Sequence, residues 1–293
     1  MMKENVEKKA PVSCAVLLSG SGSNAEALLR YERAVKNCPY HVTLLVTDAP
    51  ETSRAAEIAS DYGLPLVGHD IKKFYFAHGE DSIKMDSPYR RELRDLWSEE
   101  LYKKIMDYSP AFVCFAGFIP LSNIARHLPC LNVHPGDLTR CNSQGERIYA
   151  GLHVLPVENA ILNGDKFLRS SVILVQPYTG NGAKEMDAGP ILGISTPLPV
   201  DLGGHSLEEL AQIRQERVKG VPCRDKLRTL ALEHIDRLKT AGDHIVFPRA
   251  AADFAAGLFK TEREKLFYCG CEVISVEYSN VNPPRMLLKD QKH

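Results

Sequence analysis

A mostly parallel, twisted α/β sheet with helices on both faces is the fold the sequence predicts, and three observations predict it. Short apolar runs alternate with stretches of helical period as far as residue 134, the βαβα order that builds a parallel sheet. A glycine-rich turn, SGSGSNA at 19–25, joins the first apolar run to the first helical stretch. A later run, LNVHPG at 131–136, ends on polar residues and a Pro-Gly break, where a strand of such a sheet opens onto its ligand crevice.

The elements follow in order. CAVLLSG (14–20) reads as a buried strand, NAEALLRYERAV (24–35) as an amphipathic helix and HVTLLVTD (41–48) as the second strand. SRAAEIASDYG (53–63) is a helix closed by Gly63, and LPLVG (64–68) a third strand. YRRELRDLWSEELYKKIMDYSP (89–110) is a long amphipathic helix stopped before Pro110, because a residue ahead of proline is pushed out of the α region. AFVCFAG (111–117) and CLNVH (130–134) are the fourth and fifth strands. Beyond them the pattern predicts a helix around 151–163, strands at 170–178 and 190–200, helices at 225–242 and 247–259, and a terminal strand or hairpin at 264–278. Polar stretches at 69–88, 139–148 and 201–224 read as insertions on one core, and the tail NVNPPRMLLKDQKH as loosely held.

Composition bounds the function. The chain has 293 residues, 44% hydrophobic and 25% charged, with a formal net charge of −1. That balance gives no electrostatic footprint for nucleic acid or an anionic membrane, and no apolar run reaches the roughly 20 residues that span a bilayer. The N-terminus is polar, without a signal-peptide core. Eight cysteines are scattered without a C-x-x-C pair; they read as reduced core residues of a cytoplasmic protein rather than disulfides or zinc ligands. No metal is expected.

Gly20, Gly22 and Ala25 fit G-x-G-x-x-G/A, with Asp48 at the end of the next strand, close to the dinucleotide fingerprint. The underlying physics is broader. Glycines let backbone approach an anion, and the helix that follows offers free N–H groups and a positive dipole end. The bland alternative is a tight turn in which Ser23 or Asn24 only caps the helix.

Asn132 and His134 lie two apart on a strand and so share a face. An amide and an imidazole aimed at one spot can stabilise a developing oxyanion, and the imidazole can also carry a proton. Such a histidine wants a carboxylate, and Asp187 in MDAGPIL, in a glycine-containing loop ahead of an apolar strand, is the best candidate.

With these pieces in order, the chain resembles the folate-dependent formyltransferase family. The resemblance rests on SGSGSNAEALL, the long helix leading to AFVCFAGF, LNVHPG, YAGLHVLPVENAILNGD, SSVILV with MDAGPIL, and DHIVFPRAAADFAAGLF. It implies a Rossmann-like formyltransferase fold: one domain over 1–293, with insertions near 69–88, 139–148 and 201–242 and a C-terminal extension over 260–293. It implies Asn132, His134 and Asp187 as the catalytic set. Gly20, Gly22, Ser23 and Asn24 would hold a substrate phosphate, Asp243 would meet the ribose and Arg94 would stand at the site edge. Phe118, Ile119, Leu121 and Pro135 would line the pterin pocket. The co-substrate implied is 10-formyltetrahydrofolate, without a metal, and the acceptor is a phosphorylated small-molecule amine, glycinamide ribonucleotide of purine biosynthesis being the one expected. A homodimer stays open.

The chain departs from the family pattern at Gly136–Asp137 after His134-Pro135, at Ala150 where the family has proline, at Ile173 where it has histidine, and in the added residues RCNSQGERI and GNGAKE. These departures leave other acceptors open: a sugar-nucleotide amine, or water in a deformylase; the near-zero net charge speaks against methionyl-tRNA. From other classes, an NAD-dependent oxidoreductase built on the glycine turn and Asp48, and a binding module without turnover, also stay open.

Overall fold

The computed structural model describes residues 10–179, 185, 187–218 and 222–288. The lead-in, nearly all of GNGAKE and the last residues of the tail therefore lie outside the described residues.

A nine-stranded sheet is the frame. Its strands are β1 (Val12–Leu18), β2 (Tyr40–Thr47), β3 (Leu66–Gly68), β4 (Phe112–Phe115), β5 (Cys130–His134), β7 (Ser171–Leu174), β8 (Ile191–Ser195), β13 (Ser275–Tyr278) and β14 (Arg285–Leu287), in the order β14-β13-β8-β7-β5-β4-β1-β2-β3. The pairs among β1 to β5 are parallel, as is β8 with β13. β7 runs antiparallel between β5 and β8, and β14 antiparallel to β13. The chain moves outward from β1 in both directions, so β1 and β4 diverge at their carboxyl ends, the position of the ligand crevice in open α/β sheets.

Helices cover both faces. Buried residues of α1 (Ser23–Ala34), α2 (Ala55–Tyr62) and α8 (His244–Ala255) pack with Leu131 and Val133 on one face. α3 (Ile71–Ala77) and α4 (Pro88–Met106) pack with Cys130 and Ile173 on the other. In α4, Leu93, Trp97, Leu101 and Ile105 recur every fourth residue and form its buried stripe. The alternation along β5 is the one the sequence predicts: Leu131 and Val133 enter one core and Cys130 the other. A third core joins α5 (Leu155–Leu162) to α6 (Leu207–Gln215) and α7 (Lys226–Leu238).

The structure adds helices to two polar stretches and corrects several expected bounds. The stretch 69–88 contains α3, whose N-cap Asp70 accepts from the backbone of Lys72 and Lys73; a capped seven-residue helix is too short to register as a periodic pattern. The stretch 201–224 likewise contains α6, capped by Ser206. The predicted strand over 190–200 breaks, and Leu198–Pro199 (β9) pairs instead with Phe167–Leu168 (β6). The terminal hairpin is a three-stranded meander, β10 (Phe259–Glu262), β11 (Lys265–Tyr268) and β12 (Cys271–Val273), followed by β13 in the main sheet. The tail is not all loose, since Arg285–Leu287 is an edge strand. The helix predicted over 225–242 stops at Leu238 and passes through a π-helical stretch, Lys239–Asp243, into α8. Cys14, Cys38, Cys114, Cys130, Cys141, Cys269 and Cys271 are free thiols, but Cys141, Cys269 and Cys271 are exposed rather than core residues. No helix among the described residues is long and apolar enough to cross a membrane.

Candidate active site

The carboxyl end of β5 opens on a cavity of ≈ 160 Å³ lined by Asn132, His134 and Asp187 together with Phe118, Ile119, Leu121 and Pro135. Seven residues from three separate stretches of sequence therefore line one cavity. Gly151, Leu152 and His153 of the YAGLH segment, with Phe115 and Val175, complete much of the wall. The YAGLH segment, whose departure at Ala150 the sequence places around the site, forms one side of this pocket.

His134 is buried, and its Nε2 lies 2.7 Å from the carbonyl oxygen of Tyr149. A carbonyl only accepts, so Nε2 carries the proton and Nδ1 is left to act. Nδ1 stands 3.9 Å from Asp187 Oδ2, ion-pair range but beyond a hydrogen bond. The Tyr149 carbonyl, not a carboxylate, therefore holds the ring, and Asp187 faces Nδ1 across a short gap. Gly136 permits this seating, because a Cβ there would sit 3.0 Å from Tyr149 O and 3.1 Å from His134 Nε2.

Asp187 is itself buried, and its Oδ2 accepts from Gly151 N at 3.3 Å. Burial pushes its carboxyl above the usual range, while His134, the Gly151 N–H and Arg147 pull it back. Arg147 donates one Nη to the carbonyl of Asp187 and the other, at 2.7 Å, to that of Gly189. Nothing in the sequence pattern singled out Arg147.

The glycine turn lies at the crevice. Gly22 is the N-cap of α1 at φ 69, with no side-chain cap, so neither Ser23 nor Asn24 serves as the cap. A Cβ on Gly22 would meet Ile58 at 2.4 Å, whereas Gly20 has open space around it. The first N–H groups of α1, from Ser23 and Asn24 onward, lack helical acceptors and are available to an anion. Asn24 reaches across to Asp243, donating from Nδ2 at 3.1 Å. Ser170 Oγ donates to the other oxygen of Asp243 at 2.5 Å. The π stretch delivers Asp243 to this point, and Gly242 beside it allows the approach, since a Cβ there would lie 2.6 Å from Ser170 Oγ. Asp243 is buried, and burial raises its carboxyl above the ordinary range against the lowering effect of Ser170, Asn24 and nearby imidazoles.

Two predicted roles look different in place. Arg94 does not reach the Asn132–His134 cavity. It is buried beneath the hinge, donates to the carbonyls of Leu121 and Ile83, and lines an adjoining cavity of ≈ 480 Å³. Asp48, the acid of the dinucleotide fingerprint, is buried and accepts from Ser19 Oγ, which in turn accepts from Ile119 N. It ties the first strand to the hinge instead of standing free for a ribose. No group of three or more His, Cys, Asp or Glu side chains fit to hold a metal occurs among the described residues.

No family model and no curated protein matches this sequence. Solved structures do match. The phosphoribosylglycinamide formyltransferase of Coxiella burnetii, solved with CHES, superposes with a TM-score of 0.60 at 20% identity over 92% of this chain and 100% of that one. Glycinamide ribonucleotide transformylase 1 of Symbiobacterium toebii gives 0.56 at 22% identity, covering 90% and 98%. A formyltetrahydrofolate deformylase of Pseudomonas syringae gives 0.58 at 13% identity, covering 89% of this chain and 67% of that one. The chain has the fold these formyl-handling enzymes share, the Rossmann-like formyltransferase fold.

Proposed function

We propose that the protein transfers a formyl group from 10-formyltetrahydrofolate to the amine of a phosphorylated small molecule, with glycinamide ribonucleotide the acceptor to test first. The observation that carries this reading is the convergence of Asn132, His134 and Asp187 on one cavity at the crevice, beside the glycine turn. The likeness to structures described as glycinamide ribonucleotide transformylases adds support.

In this mechanism the amine attacks the formyl carbon and the carbonyl oxygen becomes an oxyanion. Asn132 N–H and a protonated Nδ1 of His134 stabilise it, as preorganised donors do in a site shielded from water. Asp187, at 3.9 Å from the imidazole, takes part in moving a proton from the attacking amine to the leaving nitrogen. The Phe118–Leu121 hinge and Pro135 hold the pterin. The glycine turn, with Ser23 and Asn24, binds the phosphate, and Asp243 meets the ribose. Arg94 contributes by bracing the hinge through the Leu121 carbonyl. The reading makes the protein a cytoplasmic enzyme of purine biosynthesis.

The test is release of tetrahydrofolate from 10-formyltetrahydrofolate across a panel of phosphorylated amines. Glycinamide ribonucleotide should be the fastest acceptor, and Asn132→Ala or His134→Ala should lower turnover by ~10²–10³ with the fold intact. Formate release without any amine would make water the acceptor and sink the proposal, as would near-native transfer by either variant. Quenching of NADH fluorescence with no formyl transfer would favour the oxidoreductase.

A further inference from the structure

Three successive odd-numbered residues of one segment each hold a member of the catalytic pair. Arg147 bonds the carbonyls of Asp187 and Gly189, the Tyr149 carbonyl bonds His134 Nε2, and Gly151 N bonds Asp187 Oδ2. The chain turns at Ile148 and Tyr149 and takes φ 135 at Gly151, so a single arm meets both partners with a side chain, a carbonyl and an N–H in succession. The arm is anchored. The Tyr149 ring is buried in the third core and its hydroxyl donates to Asp165 at 2.6 Å. Its start is the return limb of a small hairpin made by the added residues, with Cys141 bridged to Arg147 and Ile148 N bonded to Arg140 O.

We infer that this inserted hairpin is a positioning device, and that Arg147 is a positioning residue that clamps the turn carrying Asp187 against His134. The inference rests on the proposed role of the His134–Asp187 pair. A guanidinium suits the task because its planar fork reaches two carbonyls one residue apart on either side of Ala188, which a single ammonium cannot span. The clamp closes on a turn already seated tightly. A Cβ on Gly189 would lie 1.8 Å from the carbonyl oxygen of Leu174, and Leu174 N donates to Pro190 O at 3.0 Å. The groups facing the Asp187 carboxylate are His134 and Arg147, with the Gly151 N–H. Fixing this turn sets the 3.9 Å separation on which the pair depends.

Arg147→Ala and Arg147→Lys in the full chain test this, with formyl-transfer kinetics, chemical rescue by guanidinium and an NMR titration of the Asp187 carboxyl. In Arg147→Ala, kcat should fall by roughly tenfold to a hundredfold, as a misplacement of about 1 Å does, while KM for the amine stays near wild type. Added guanidinium should restore part of kcat, and Asp187 should titrate at higher pH than in the wild type. Arg147→Lys, which keeps the charge, should leave the titration near wild type and still lose kcat. A wild-type kcat in both variants overturns the inference. So does a loss of kcat matched by a loss of thermal stability, without rescue and without a change in the Asp187 titration. If the wild type transfers no formyl group, yet Arg147→Ala moves the Asp187 titration as stated and Arg147→Lys does not, the clamp stands and the proposed function falls.

Discussion

Gly189→Ala is the change whose effect follows most directly from distances. The added methyl carbon would lie 1.8 Å from the Leu174 carbonyl oxygen and 3.0 Å from Gln176 Nε2. Carbon and carbonyl oxygen approach no closer than about 3.3 Å even in favourable contacts. The turn and the first residues of β8 must therefore retreat from β7 by roughly 1.5 Å. Two groups move with them. The Gly189 carbonyl leaves Arg147, which now reaches it at 2.7 Å, and Asp187, two residues away, leaves its place 3.9 Å from His134. A shift of about 1 Å at a catalytic group can cost ~10² in rate, which is about 2.7 kcal/mol of barrier. Overpacking of this kind also destabilises by about 1–3 kcal/mol, and in a domain of this size each kcal/mol lowers Tm by about 2–4 °C. Steady-state formyl transfer with each substrate varied in turn, beside a thermal unfolding curve, measures both effects. Unchanged kcat in a protein that carries the substitution would refute the claim that the register of this turn governs the chemistry.

Asp243→Asn should stabilise the protein near neutral pH. Its folded pKa is raised by burial, so the stability linked to its proton is present in acid and is lost as pH rises through the folded value. The neutral side chain escapes that loss, and Asn24 Oδ1, buried and without a hydrogen-bond partner, can turn to accept from it. Unfolding followed across pH should show a gain that disappears in acid, and KM for the amine should rise. Glu158→Ala should do the reverse to the third core. Glu158 is fully buried on α5 and accepts from Arg214 and twice from Arg217, at 2.7 and 3.0 Å. Removing one partner of such a buried cluster costs about 3–5 kcal/mol. Lowered Tm and faster amide exchange over α6 are the readouts.

Much of the frame and the pair on β5 could be read from sequence because each is a local pattern. Strand β5 has the predicted bounds, Cys130–His134, since a short apolar run flanked by Pro129 and Pro135 leaves little choice. Gly63 ends α2 in the left-handed conformation expected of it. Asp187, the carboxylate that a histidine in this place needs, lines the same cavity. What escaped was long-range and carried by backbone. No spacing rule reports that the Tyr149 carbonyl meets His134, or that Arg147 is spent on two carbonyls forty residues along the chain. Arg94, expected at the site edge, is enclosed by the hinge and the loop at Ile83. The reversal of β7 was hidden for a related reason. A fully buried strand shows a continuous apolar run whichever way it points.

The two margins of the large sheet are β3 and β14, each only three residues long. Stubby margins of this kind offer a neighbouring chain little backbone to pair with. On the β14 side, two prolines at 283–284 precede the strand and Arg285 opens it, ion-paired to Glu277 at 3.0 Å. A terminus that looks dispensable thus works as a hem: cut before Arg285, the chain would bare one side of Ser275–Tyr278, and self-association in concentrated solution would follow from that fray.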